Sequence, residues 1–294
     1  MHPLASHKGP FLVLAGAICF GTIGFTQAIT AADGATPLLI AGARMFIGGF
    51  SLLILLLIKK QCPSLKGWPI RNVILSVAGI LGYQYFFLTG TLYAGVAICT
   101  VVTTGSTPII AAIMALLFLQ EKPIRAWYPA TILAIVGLII INGLDDGLTS
   151  IQALFYPLAA GTSYSIYLTF SKPLVQNNRP EAVIMVLMLL CGLCLLPLLC
   201  MTDISWLFTA KGMLASAHLG IIATAAGYSL TLAGLKLTPT STAATLGLAE
   251  PVAALLLGLC FLNENLSLHS WLGIACILSS VLLLILLPRF RPFH

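Results

Sequence analysis

Apolar positions run through this chain in blocks of about twenty, separated by short clusters of Pro, Gly, Asp, Lys and Asn. A helix needs ~20 predominantly apolar residues to cross the hydrocarbon core of a bilayer. Ten blocks come close to that length, at 10–29, 37–58, 71–92, 96–119, 125–143, 151–171, 180–200, 211–234, 238–262 and 267–288. Each is predicted to be a transmembrane helix, which satisfies its own backbone hydrogen bonds in lipid. Little chain remains for loops and none for a soluble domain. The predicted fold class is therefore all-α integral membrane.

The first block invites a second reading. Lys8, the run FLVLAGAICF and the small residues from Ala28 to Ala32 match the layout of a cleaved signal peptide. A counterpart of this segment deep in the chain, described below, argues against cleavage.

Composition sharpens the picture. Charged residues are 7% of the chain, where soluble globular proteins carry ~25%. Apolar residues are 59% and the mean hydropathy is +1.05. A cytosolic enzyme, a nucleic-acid binder and a disordered tail are excluded. The formal net charge of +6 is better read as a topology signal. With ten spans both termini share a side, and that side receives Lys8, Lys59, Lys60, Lys66, Arg71, Lys122, Arg125, Lys172, Arg179, Lys236, Arg289 and Arg291. The other receives Lys211 with Asp33, Asp145, Asp146, Asp203 and Glu264. The positive-inside rule puts both termini in the cytoplasm. The expected location is a cell membrane, the inner membrane of a bacterium. The cysteines show no disulfide framework, and Cys191 and Cys194 read as small packing residues inside an apolar helix.

One offset of 143 residues aligns the two halves. Pro108 falls on Pro251, Pro37 on Pro180 and Tyr85 on Tyr228. Phe118-Leu119-Gln120-Glu121 falls on Phe261-Leu262-Asn263-Glu264. The units predicted are 1–145 and 146–294, five spans each. An odd number of spans forces the second copy to insert upside down. Inverted repeats recur in secondary transporters, with the substrate site near the midplane between them.

The paired segments STPIIAAIMALLFLQEKP and AEPVAALLLGLCFLNENLS, the opening GAICFGTIGFTQA and the stretch RMFIGG resemble the drug/metabolite transporter superfamily in its ten-helix form with two EamA-type repeats. The resemblance covers nearly the whole chain. It implies export or exchange of small metabolites, amino acids or drugs without ATP, and no G-x-x-x-x-G-K-[ST] phosphate loop occurs in the sequence.

Two charges fall inside spans. Arg44 lies ~10 Å from the outer end of the second helix, and Glu250 lies ~18 Å from either end of the ninth, at 1.5 Å per residue. Their repeat partners, Leu187 and Thr107, are uncharged. Ionisable groups within a membrane are expensive and mark function by default. Glu250 reads as a cation or proton site and Arg44 as an anion clamp or gate, which together suit a zwitterion. A structural Arg–Glu pair, or an Arg44 snorkelling to the surface, is the competing reading.

Pro108 and Pro251 each remove a helix hydrogen bond, freeing the carbonyls of Thr104 and Gly247. They read as hinges of two pathway-lining helices, with a static kink as the alternative. Thr103 and Thr107 stand beside Pro108 as substrate-binding candidates. Tyr83, Gln84 and Tyr85 in the third span, Tyr164 and Tyr167 in the sixth and Phe20 in the first lie at mid-depth, where a tyrosine hydroxyl needs a partner; they form a candidate aromatic cavity, with ordinary inter-helix packing as the alternative. Glu121 and Glu264 end the hinge helices and read as gating or capping residues. Each opposes the helix dipole, so a partner such as Lys122 or the start of the following helix is expected. His218 reads as a packing histidine before a proton shuttle, and Gly220, Gly227 and Gly234 as one close-packing helix face.

The function expected is a secondary transporter of amino acids or amphiphilic drug-like compounds, exporting or exchanging by alternating access, with protons as a possible coupling partner. Its other partners are the lipid bilayer and the substrate, with no nucleic acid, and it acts as a monomer or homodimer. No cofactor, metal or catalytic residue is expected. An integral-membrane enzyme is one rival, but H-E-x-x-H, G-x-S-x-G and paired intramembrane Asp are absent from the sequence. A non-transporting scaffold or receptor is the other, and leaves the repeat and its unmatched charges unexplained.

Overall fold

The structure, a computed structural model, describes residues 8–30, 36–142, 151–261 and 267–287. Ten helical spans follow one another there. They are α1 (Lys8–Thr30), α2 (Pro37–Ile58), α3 (Ile70–Ala94), α4 (Val96–Leu119), α5 (Trp127–Asn142), α6 (Ile151–Asn177), α7 (Pro180–Leu199), α8 (Ala210–Leu237), α9 (Thr240–Phe261) and α10 (Leu268–Leu286). Their starts follow local chemistry. Thr36 and Thr209 hydroxyls accept the N–H groups of Leu39 and Gly212, at 3.2 and 3.0 Å, and Pro37 opens α2 with its φ already set. Gly95, at φ 78°, joins α3 to α4 in a single residue, a backbone state that side chains disfavour.

Eight of the ten are long and apolar enough to cross a membrane. The two exceptions differ. α5 is apolar but has 16 residues, or ~24 Å. α6 has 27 residues but is polar, and it packs on α3 and α4. Its Ser163, Ser165, Thr169, Ser171 and Lys172 are buried in protein. The end expected at 171 is overrun to Asn177 because Lys172 is no loop residue; its charge is neutralised inside the bundle, as shown below.

The interhelical contacts have two-fold logic. α3 packs on α6 and α1 on α8; α4 packs on α6 and α1 on α9. The equivalent helices α2 and α7 pair with each other, as do α5 and α10. Close approaches give the direction. Gly42 meets Leu199 and Gly49 meets Leu189 across α2–α7, while Gly137 meets Gly273 across α5–α10, where Gly273 also meets Ile141. Equivalent helices run antiparallel, so the repeats are inverted. Backbones approach closely where small residues face one another.

Three helices depart from regular winding. α4 runs α-helical through Pro108 to Met114 and then widens into a π turn, Ala115–Leu119. α8 contains a longer π segment, Leu219–Ala226. That segment shifts the phase of the seven-residue glycine spacing. Gly227 and Gly234 face α1, whereas Gly220 faces Ile47 and Gly48 of α2, so the single packing face expected is divided between two neighbours. α9 is broken into Thr240–Leu246 and Ala249–Phe261.

Candidate functional site

The break in α9 explains the local geometry of Glu250. Pro251 cannot donate to the Gly247 carbonyl, and the Glu250 N–H takes that carbonyl instead, at 3.0 Å. The chain tightens there, and the second half-helix restarts with Glu250 in its first turn. A carboxylate at a helix start lies favourably to the helix dipole. The opening of α9 therefore lies at Gly247–Leu248, one turn before the proline expected to mark it. Pro108 sits in a continuous helix instead.

Glu250 faces a cavity of about 80 Å³. Seven helices build the wall: α1, α2, α3, α4, α6, α8 and α9. Arg44, Tyr83, Thr103, Thr107, Tyr164 and Glu250 line it together. Gln84 and Tyr167 do not. Tyr167 is fully buried behind the wall, its ring 5.6 Å from both Tyr164 and Tyr228.

Tyr228 lines the cavity and was not singled out as a site residue by the sequence. Its repeat partner Tyr85 is 61% exposed, while Tyr228 is 5% exposed. A chain of rings results. Tyr83 lies tilted against Tyr164 at 5.3 Å, Tyr164 tilted against Tyr167, Tyr167 edge-on to Tyr228, and Tyr228 edge-on to Phe20 at 4.8 Å. Four of these rings line the cavity. The usable signal was position, since Tyr228 lies well inside its span.

Arg44 is 7% exposed. It lines the cavity together with Glu250 and Tyr228. The one ion pair within 4.0 Å among the described residues is elsewhere, so Arg44 and Glu250 face the same space without closing on each other. The threonines are committed. Thr103 donates to the Pro157 carbonyl at 3.0 Å, Thr104 to Thr100, Thr107 to Thr103 and Thr231 to Gly227. Each hydroxyl has spent its single proton, so what remains to a ligand is lone pairs. Among the described residues no group of three or more His, Cys, Asp or Glu converges.

Glu121 lies outside the cavity. Its partner is neither Lys122 nor the next helix. Oε1 is 2.6 Å from Lys172 Nζ, and Oε2 accepts the N–H and hydroxyl of Thr240 at 3.0 Å each. Glu121 thus caps the start of α9, in the other repeat. Lys172 also donates to the Thr238 carbonyl at 2.7 Å. Glu264, its repeat equivalent, lies outside the described residues. His218 Nδ1 is 2.9 Å from the Thr26 hydroxyl, a satisfied position between α8 and α1.

The family model for the EamA-like transporter family matches residues 7–143 and again 151–286. The chain belongs to that family. It fits the drug/metabolite transporter superfamily, and it is a multi-pass membrane transporter. An uncharacterized transporter, YwfM, of Bacillus subtilis (strain 168) is 36% identical, covering 94% of this chain and 93% of its own. The uncharacterized inner membrane transporter YicL of Salmonella typhimurium is 32% identical over 74% of each chain. Protein PecM of Dickeya dadantii is 26% identical over 84% of this chain and 82% of its own. A solved crystal structure superposes with a TM-score of 0.84 over 96% of this chain and 97% of the other, at 17% identity, which establishes the likeness of fold.

Proposed function

We propose that this transporter moves small zwitterions, short α-amino acids first among them, by alternating access and by export or exchange. The observation that carries this reading is the convergence of Arg44 and Glu250, the two intramembrane charges without a charged repeat partner, on one cavity between the repeats. Arg44 takes the carboxylate. Glu250 takes the ammonium, with the lone pairs of Thr103, Thr104, Thr107 and Thr231 available for its N–H groups and the rings of Phe20, Tyr83, Tyr164 and Tyr228 for its charge.

Between substrates, Glu250 carries a proton, and its exchange for the ammonium couples transport to a pH gradient. Arg44, Tyr83, Tyr164 and Tyr228 are the titratable groups that share its cavity. The basic residues flanking the spans support an orientation with both termini in the cytoplasm, and the name of the YicL relative supports an inner membrane. Flux of small amino acids into proteoliposomes, with and without a pH gradient, tests this. Uptake that the gradient accelerates, and that Glu250→Gln renders indifferent to pH, is expected. Normal affinity in Arg44→Gln together with normal pH dependence in Glu250→Gln overturns it.

A further inference from the structure

Lys172 is a buried charge with no part in the cavity. Its side chain is 5% exposed, and that of its partner Glu121 is 25% exposed. Burying an ion pair is unfavourable unless geometry and extra hydrogen bonds offset desolvation. Both are present: Lys172 holds Glu121 and the Thr238 carbonyl, while the second Glu121 oxygen holds Thr240 twice. Such an arrangement has two good states, fully paired or fully hydrated, and poor ones between.

What the cluster holds is the first half of α9, Thr240–Leu246. That half-helix lines the cavity through Ala243 and Ala244. Its far end is the break at Gly247–Leu248, and its near end is the Thr240 N–H on Glu121. Two further bonds tie it to α5: Trp127 Nε1 donates to the Ser241 carbonyl at 3.1 Å, and Thr131 and Thr245 hydroxyls meet at 2.9 Å. We propose that Thr240–Leu246 is the gate on this face of the membrane, that Gly247 is its hinge, and that Lys172 with Glu121 is the clasp that holds it shut.

The equivalent positions of the other repeat carry different residues. The 143-residue offset carries Lys172 to Ile29, Thr240 to Ala97 and Thr245 to Val102. Only the carboxylate recurs, as Glu264. The clasp as built from Lys172, Glu121 and Thr240 is thus particular to the Glu121 face, and its ion pair and hydrogen bonds are all formed.

The test is the labelling rate of a cysteine at Ala243 by a membrane-impermeant thiol reagent, in a background without native cysteines. The protein sits in vesicles of known orientation and the reagent is added from either side. Lys172→Met is expected to raise labelling from the Glu121 face about tenfold, as the closed population falls. Lys172→Arg, which keeps the charge, stays near the parent rate. Unchanged labelling in a folded Lys172→Met protein overturns the proposal, as does a rise from both faces, which reports general loosening. Should Lys172→Met fail to fold, Glu121→Gln, which keeps the volume and removes the charge, is read by the same criteria. The measurement needs no substrate, so its outcome is independent of the zwitterion reading.

Discussion

α4 and α9 occupy the same place in the two repeats and have come to differ. Both carry a proline, Pro108 or Pro251, and a glutamate thirteen residues later in the sequence. α4 stays continuous through its proline and presents neutral hydroxyls. α9 opens at Gly247–Leu248 and presents a carboxylate from Glu250 at the restart. Position 250 corresponds to Thr107. The repeat supplies two similar walls of one cavity, and the charge and the break, both on α9, make those walls unequal.

The largest consequence concerns those two equivalent positions. Glu250→Gln is expected to reduce substrate affinity about a hundredfold, the upper range of ~3 kcal/mol for a hydrogen bond to a charged group. Thr107→Val is expected to weaken it about threefold, in line with a neutral contact of under ~1 kcal/mol. Equilibrium binding of a small amino acid to both purified variants reads the difference. Equal losses would mean that the two walls contribute alike.

A substrate analogue separates the same walls chemically. Trimethylating the ammonium keeps its charge, and so its attraction to Glu250 and the aromatic faces, but removes every N–H that a threonine lone pair on α4 accepts. The analogue is expected to compete about tenfold more weakly than the parent amino acid, the loss of ~1.4 kcal/mol. Competition against a labelled amino acid measures it. Equal competition would leave the α4 hydroxyls without a role in recognition.

The break itself is tested by a methyl group. Alanine is a better helix former than glycine by up to ~1 kcal/mol. A Cβ at Gly247 would lie 3.2 Å from the Ala244 carbonyl oxygen, and at Gly105, which aligns with Leu248, 3.8 Å from its nearest neighbour. Gly247→Ala favours closing the break and is expected to slow turnover about fivefold, the rate equivalent of ~1 kcal/mol, at unchanged folded yield. Gly105→Ala, in a helix already continuous, is expected to leave turnover unchanged.

Which of these features the residues announced follows a physical rule. Hydropathy and a shared offset showed ten spans and their inversion, because lipid imposes length and apolarity on any helix that faces it. α6 escaped that rule: its polar residues face protein, and Lys172 looked like a loop charge because its partner Glu121 lies 51 positions away in sequence. The chemistry of the cavity was legible at Arg44, Glu250, Tyr83 and Tyr164, where burial of a polar group in a span demands a reason. Gln84 and Tyr167 meet the same demand yet stand off the cavity wall, since depth in the membrane does not specify which way a helix face turns. The break at Gly247–Leu248 was hidden because Pro251 acts on a carbonyl four residues earlier, and whether the helix bends or opens there depends on which N–H replaces the missing donor.

The smallest expected effect concerns what surrounds the half-helix. Thr131 and Thr245 meet at 2.9 Å, joining α5 to the first half of α9, and the repeat offset turns this pair into Ile274 and Val102. Hydrogen bonds between helices in membranes average ~0.6 kcal/mol. Thr131→Val is therefore expected to lower stability by about that amount and to raise labelling at position 243 by less than about threefold. The double variant Thr131→Val with Thr245→Val should be no worse than either single one, because the polar contact is already gone and both hydroxyls lie in protein rather than water. A double-mutant cycle on unfolding in detergent checks this. A coupling near zero would leave the Lys172–Glu121 clasp and the Trp127 bond as the polar ties on this face, and would make the α9 wall resemble its apolar counterpart here.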